Sequence, residues 1–502
     1  MARASSWAGN LDTIGVTLLR QIDPTLNGNN ILVAQPEALI AANAFEVNPS
    51  AVGQSQSLFT WISTNGTATT FPNAVGVESG HADSVGANFY GASTGVAPGV
   101  GHVDNYDADY FYETIISAAS PATIAARVVN QSFIFDSEVS SVDQNYDDYA
   151  ADHNTIFVSA AGNGGPISSA ATSYNGLGVG VYGASSSMGP TSNGRCKPDL
   201  TAPGGATSFS TPYVAGAAAV LVQAANRGDG GANVSAASDL RAIKALLLNG
   251  AVKPSNWTNT ATHPLDLRYG AGILNVFNSW KQLSGGKQTF AETTSHVSGG
   301  VHPPGSSTNN VASLVGWDFN SITNFKVQGN YQDRIHHYYF NVPANGGNSF
   351  ALTATLVWNR AAGKSSIEDL NLFLYSATSG SLVGSSISTV DNVEHLFLPK
   401  LPTGRYDLQV MKSASGVTSL NDTETYALAF EAFNLKLNVA RTDNSLVLSW
   451  PVSPTGFSLQ SSTNLSLPTW GNVVTPVTIT NNLNVVTLST TNAQRFFRLQ
   501  RP

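Results

Sequence analysis

Three residue types that together can break an acyl bond sit in three well-separated segments of this chain. Ser208 lies in APGGATSFSTPYVAGAAA, directly ahead of a helical pattern, so a rigid element would hold its hydroxyl near the positive end of a helix dipole. A serine hydroxyl is a poor nucleophile unaided and needs a base. His81, in GHADSVGANFYGASTGVAPG, supplies one, again just before small residues with helical spacing. Asn163 closes the buried-strand pattern of NTIFVSAAGN, where its amide could donate to a developing oxyanion. A fourth group is harder to place: ILVAQPEA, residues 31–38, runs from apolar residues through a proline to a lone carboxylate, Glu37. Each has a plainer reading: Ser208 as a helix cap, His81 as a satisfied groove histidine, Asn163 as a turn residue before Gly-Gly, Glu37 as a solvated loop residue.

The elements that must position these groups are legible up to about Gly286. NNILVAQ, ARVVNQSF and NTIFVSAAGN are continuous apolar runs, the look of parallel strands covered on both faces. SVDQNYDDYAADH and STPYVAGAAAVLVQAANR have helical spacing, the second with Pro212 near its first turn and closely spaced small residues. This alternation predicts an α/β fold, a parallel sheet with helices on both faces. After Gly286 the helical period is lost. SHVSGGVHPPGSSTNN reads as a linker, and HHYYFNV, FALTATLVW, DLNLFLYS, EHLFLP, YDLQVM and TYALAFEAF read as period-two strands about ten residues apart. A last set, LKLNVA, SLVLSWPV, GFSLQSS, NVVTLST and RFFRLQ, begins near Asn434. The expected division is 1–286 as the α/β domain, 287–432 as a jelly-roll β-sandwich, and 433–502 as a small β-sandwich module.

Composition narrows the partners. The chain has 502 residues, of which 11% are charged, and 24 basic against 32 acidic residues give −8. No Lys/Arg run exists to follow a phosphate backbone, so nucleic acid is a poor partner. Cys196 is the single cysteine, which excludes an internal disulfide and a thiol-held zinc cluster and makes it a small buried hydrophobe. No apolar stretch reaches the length of a membrane span and no signal peptide is visible, so the chain is either cytoplasmic or a mature form. The low charge, the Ser/Thr/Asn-rich surface and the terminal β modules favour a mature secreted form, and a monomer is expected.

The ordered blocks resemble the subtilases, the subtilisin-like serine peptidases. TSFSTPYVAG is similar to that family's TSMATPHVAG around the nucleophile, GHADSV to its GHGTHV around the base, and AAGN matches its oxyanion segment. SSSMGPTSNGRCKPDLTAPG resembles its SSRGP...KPDISAPG run, and YGAGILN its closing YGxGxVN. The trailing β region further resembles the branch of alkaline subtilases carrying a C-terminal jelly roll. The resemblance implies Ser208 as nucleophile, His81 as base and Asn163 as oxyanion donor. It also makes ILVAQPEA intelligible, because the family's first strand ends VAVIDTG: Glu37 falls on the aspartate that orients the histidine. The order 37, 81, 208 is then that of subtilisin. VVNQSF falls on the strand that walls the substrate groove, which implies Ser132, Phe133 and Gly162 as substrate-binding, with an extended peptide lying antiparallel along VVNQSF.

Several family positions differ. Ala206 stands for a glycine, Ala82, Asp83 and Ser84 for Gly-Thr-His, and only Gly204–Thr207 separates KPDLTAPG from the serine. Asp83 is a rival acid that would more naturally cap the following helix, and Asp23 is a second rival. No cofactor is required by the chemistry. Structural calcium is frequent in the family, and Glu368, Asp369, Asp391 and Glu394 could supply its oxygens or be ordinary loop carboxylates. The implied activity is endoproteolysis of protein or peptide substrates. The rivals are a subtilase scaffold that binds without catalysis through its β modules, and a sedolisin-type acid peptidase, against which GHADSV and AAGN argue.

Overall fold

The computed structural model describes residues 9–292, 313–344, 350–415, 417, 423–442, 445–451, 457–466, 469–480, 483–489 and 494–500. The expected linker, 295–310, lies outside them. The first body is an eight-stranded sheet of β1 (Leu32–Glu37), β2 (Phe59–Ser63), β3 (Gly66–Ala68), β4 (His102–Asp107), β5 (Val128–Gln131), β6 (Ile156–Ala160), β7 (Leu177–Tyr182) and β8 (Leu200–Pro203). Their spatial order is β8-β7-β6-β5-β1-β4-β2-β3, parallel throughout except for the edge hairpin of β2 and β3. From β1 the chain first forms the far edge, β2 and β3, then inserts β4 beside β1, and crosses to β5 to build the other side outward to β8. The order thus reverses between β1 and β5, and the crevice beyond the carboxyl ends of such strands is where α/β sheets bind ligands. Glu37 ends β1, and Ser132 follows the last residue of β5.

Five helices frame the argument: α1 (Gly80–Phe89), α2 (Ser140–His153), α3 (Thr207–Asn226), α4 (Leu240–Gly250) and α5 (Val276–Ser284). Helix α3 is buried almost all round and runs under β5, β6 and β7 as well as beside α1, which explains its small residues. A Cβ at Gly216, for example, would come within 2.6 Å of Val96. Two buried lysines tie this body together: Lys197 Nζ and Lys244 Nζ reach the two oxygens of Asp199 at 2.6 and 3.0 Å.

The second body is an antiparallel sandwich. One sheet holds β9 (Ala291–Glu292), β11 (Arg334–Val342), β16 (Gly404–Lys412), β13 (Leu370–Ser376) and β14 (Leu382–Ser386), in that order. The other has the order β10 (Val315–Thr323), β17 (Thr423–Phe433), β12 (Phe350–Trp358) and β15 (Val393–Leu401). The alternation expected from period-two patterning is present, but the four-stranded sheet is covered on both faces. Leu352, Ala354, Leu356 and Trp358 of β12 face the other sheet, while Trp317, Val357, Val393, Ala427 and Ala429 join the core of the α/β body. The residues toward α4 are short, Thr353, Thr355, Ala427 and Ala429, so the helix lies close against the sheet. Polar contacts accompany the packing: Asn249 Oδ1 accepts from Thr353 and Thr355 at 2.8 and 3.0 Å, and Lys281 Nζ meets Glu431 at 2.6 Å.

The chain ends in two small antiparallel sheets. β18 (Asn438–Thr442), β19 (Ser445–Pro451), β23 (Leu483–Ser489) and β22 (Thr478–Thr480) form one, and β21 (Gly471–Asn472), β20 (Ser458–Ser462) and β24 (Phe496–Gln500) the other. Among the described residues, their buried core is Leu448, Trp450, Leu459, Val486 and Leu488, with Leu437, Leu446, Val473, Phe497 and Leu499 packed against it half-buried.

Candidate active site

Glu37 is 1% exposed, so the solvated-loop reading does not hold. Strand pairing buries it: β1 lies between β4 and β5, and Glu37 is its last paired residue. His81 is the second residue of α1, whose start is capped by Ser79, the Ser79 hydroxyl accepting from Ala82 N at 3.3 Å. His81 Nδ1 and Glu37 Oε2 are 2.8 Å apart. The hydrogen bond to Glu37 pushes the imidazole's pKa above its ordinary value, burial opposes the shift, and the charge of Glu37 adds to it. The His81 ring also lies 5.7 Å from that of Phe209.

Neither rival acid stands in this position. Asp83 does not cap α1; it sits in the first turn and accepts from the backbone N–H of Asn48 at 2.7 Å. Its carboxyl is pushed up to about 6 by burial, with the Asn48 N–H opposing and Glu78 and Glu37 adding. Asp23 pairs with Arg227 at 2.8 Å, beyond the far end of α3 and roughly 28 Å along that helix from Ser208.

Ser208 is the second residue of α3. Its hydroxyl donates to the carbonyl oxygen of Ser132 at 3.1 Å, and no hydrogen bond joins it to His81. The Ser132 hydroxyl in turn donates to Ser208 O at 2.8 Å. That carbonyl is free because the residue four positions on is Pro212, which has no N–H to complete the helical ladder. The proline inside the first turns therefore leaves an acceptor by which β5 and α3 are tied together.

Asn163 follows β6 on a loop opened by Gly162, whose φ of 105° suits glycine and at which a Cβ would come within 2.6 Å of Ser187 Oγ. Its Oδ1 accepts from both the backbone N–H and the hydroxyl of Thr207, at 2.8 and 2.9 Å. A backbone N–H can only donate, so the amide's orientation is fixed: Nδ2 faces away from Thr207. Neither that Nδ2 nor the backbone N–H of Ser208 has a partner among the described residues, which leaves two donors for an oxyanion.

The groove wall is shorter than VVNQSF suggested. Val128–Gln131 all pair with β6, and Val128 and Val129 pair with β1 as well, so the start of the run cannot take another strand. Phe135 N is bonded to Ser169 O. Between them the backbone groups of Phe133 and Ile134 have no partner among the described residues; Phe133 is half-buried and Ile134 exposed. The connection 204–206 is as short as the sequence indicated, a bend that leads straight into α3.

The four carboxylates considered for calcium are engaged by the protein. Glu368 pairs with Lys412 at 2.6 Å, Asp369 accepts from Asn371, Asp391 accepts from Cys196 N and Ser388, and Glu394 accepts from Ser386 and Ser388 N. Burial pushes the Glu394 carboxyl well above its usual range. Among the described residues no group of three or more His, Cys, Asp or Glu side chains is arranged to hold a metal ion.

Three residues that sequence reasoning passed over complete the site. Gln35 and Tyr90 support Glu37, and Thr207 fixes Asn163. Gln35, two positions before Glu37 in a strand, shares its face, but its residue type alone gives no sign of what it meets there.

The parallel α/β sheet thus gathers a serine, a histidine and a carboxylate near its reversal point. Residues 80–272 match the model of the subtilase family, Peptidase_S8; Glu37 precedes the matched stretch. Among solved structures, the chain is similar to fervidolysin from Fervidobacterium pennivorans, described as a keratinolytic enzyme related to subtilisin. The identity is 15%, over 88% of this chain and 73% of that one, with a TM-score of 0.41. It is similar to proteases from Pseudoalteromonas arctica PAMC 21717 at 17% identity, over 55% of this chain and 95% of that, TM-score 0.37. A PatG macrocyclase in complex with peptide shares 16% identity over 56% of this chain and 99% of that, TM-score 0.37. No curated protein matches the chain.

Proposed function

We propose that the protein is a serine endopeptidase in which Ser208, His81 and Glu37 form the triad. The observation that carries the reading is the 2.8 Å contact between His81 Nδ1 and the buried Glu37 carboxylate, made from the first turn of a helix packed beside the helix that presents Ser208. Glu37 holds the proton on Nδ1, which leaves Nε2 as the base and stabilises the imidazolium once formed. The Ser208 hydroxyl turns about its Cα–Cβ bond from Ser132 O toward Nε2, gives up its proton there, and Oγ bonds to the scissile carbonyl carbon. Asn163 Nδ2 and Ser208 N–H receive the oxyanion; an amide donor of this kind is worth about 10² to 10³ in turnover. Collapse expels the amine with the proton from His81 and leaves an acyl-serine, which water hydrolyses by the same steps. The peptide pairs with the open backbone of Phe133 and Ile134, beside Gly162.

The wider reading is a secreted, monomeric enzyme acting on protein or peptide chains. It divides as 1–286, 287–432 and 433–502, with the middle part a jelly roll. The low charge, the Ser/Thr/Asn-rich composition and the terminal β modules support secretion, and no helix among the described residues is long and apolar enough to cross a membrane. The test is reaction with a fluorophosphonate probe. The protein is expected to be labelled at neutral and alkaline pH and Ser208→Ala to abolish labelling. An unlabelled protein would mean a scaffold without activity, and a rate maximum below about pH 4, where a histidine base is protonated, would mean carboxyl chemistry.

A further inference from the structure

Gln35 lies two residues before Glu37 on β1, on the same face, and is 0% exposed. Its side chain joins three elements. Nε2 donates to Glu37 Oε1 at 2.8 Å and to the backbone oxygen of Ala82 in α1 at 3.0 Å, and Oε1 accepts the hydroxyl of Tyr90 at 2.5 Å. Because the Ala82 carbonyl can only accept, the amide has one orientation, and every group it offers is used. Each oxygen of Glu37 consequently has one donor, His81 Nδ1 on Oε2 and Gln35 Nε2 on Oε1, and no other donor among the described residues reaches it.

A glutamate needs this help more than an aspartate. It has one more rotatable bond, and a single hydrogen bond to the imidazole leaves the carboxylate free to swing. A donor on the other oxygen pins its plane. The same amide grips Ala82, the residue after His81, so one side chain sets both where the acid points and where the base's backbone stands. We propose that Gln35, itself held by the Tyr90 hydroxyl, is the positioning residue that makes a glutamate workable as the acid partner of His81. The inference rests on the triad reading above.

The titratable groups around the pair are Asp83 and Tyr90 at the two ends of α1, and Glu78 just before it. Substitution at Gln35 leaves Asp83 and Glu78 in place and takes the acceptor from the Tyr90 hydroxyl. The experiment is the rate of fluorophosphonate labelling of the full chain against pH. Gln35→Met keeps the length of the side chain and removes the donor. We expect its plateau rate to fall about tenfold, the size of one hydrogen bond to a charged group. The midpoint of its acidic limb should rise, since a less neutralised Glu37 holds the imidazolium proton harder. Tyr90→Phe should shift both in the same direction by less. A Gln35→Met protein that keeps the parent midpoint overturns the inference, even if its melting temperature falls. Should Gln35→Met fail to fold, Tyr90→Phe decides: a shifted midpoint supports the positioning role and an unshifted one overturns it. A parent protein that is never labelled overturns the peptidase reading itself, an outcome distinct from a labelled parent with indifferent variants.

Discussion

At position 37 the length of a side chain carries the argument. Glu37 Oε2 meets His81 Nδ1 at 2.8 Å, and shortening by one methylene withdraws the carboxylate by roughly 1.3 Å, beyond hydrogen-bonding distance unless the strand moves. Glu37→Asp, although it restores the residue usual in the family's first strand, is therefore expected to slow probe labelling at least tenfold. A rate equal to the parent's would show that the acid lies elsewhere.

The pH dependence has two opposite signs. The folded pKa of His81 lies above the ordinary 6.5, so labelling should rise with pH through a midpoint above 6.5. The stability that the Glu37 contact gives is complete below the unfolded value and is lost as pH rises through the folded one. Asp83 titrates nearby, at about 6, and Asp83→Asn separates the two events. Ser208, His81 and Asn163 were readable because each sits at an element's end in a run of small residues. Glu37 was readable only beside them, and Gln35 was not, since a lone strand glutamine has the same look whether it faces water or a buried carboxylate.

Among the elements, β12 shows where period-two reading stops being informative. FALTATLVW is covered on both faces, yet its small residues toward α4 are what an outward face would also show. β10 escaped the sequence reading although Val315, Trp317 and Phe319 alternate with Gly316, Asp318 and Asn320; its Trp317 is buried against the α/β body. Just past β12, Arg360 enters the α/β body, with Nε 3.0 Å from Asp147 and Nη2 2.6 Å from Asp148. Its backbone also exchanges two hydrogen bonds with the Asn175 amide, at 2.8 and 2.9 Å. Burial pushes the Asp147 carboxyl above its usual range despite the Asn175 N–H and Arg360, so the aspartate is costly to leave unpaired. Arg360→Ala should destabilise the protein to denaturant by about 3 to 5 kcal/mol, and adding Asp147→Asn should return much of it. Additive losses in the double variant would refute this account.

For the molecule as a whole, the division suggested by composition and the division made by packing differ. The sequence changes character near Gly286, but the core of the α/β body continues into Trp317, Val357 and Val393 of the sandwich. The change of period marks where strand chemistry begins, and says nothing about which faces meet. These two bodies should melt as one calorimetric unit, while the last module, with its small core, should melt separately and earlier. Two separate transitions for the first two bodies would show that their shared core is not cooperative.

Cys196 gives that shared core a natural clock. It is 2% exposed, and its backbone N–H donates to Asp391 of the sandwich at 2.7 Å, so the chain's single thiol is shut in where the two bodies meet. Burial also pushes the thiol's pKa up, which disfavours the reactive thiolate while the two bodies stay packed. With a thiol reagent in large excess, the rate of modification becomes the rate at which the sandwich lifts away. The protein needs no added label for its undocking to be timed.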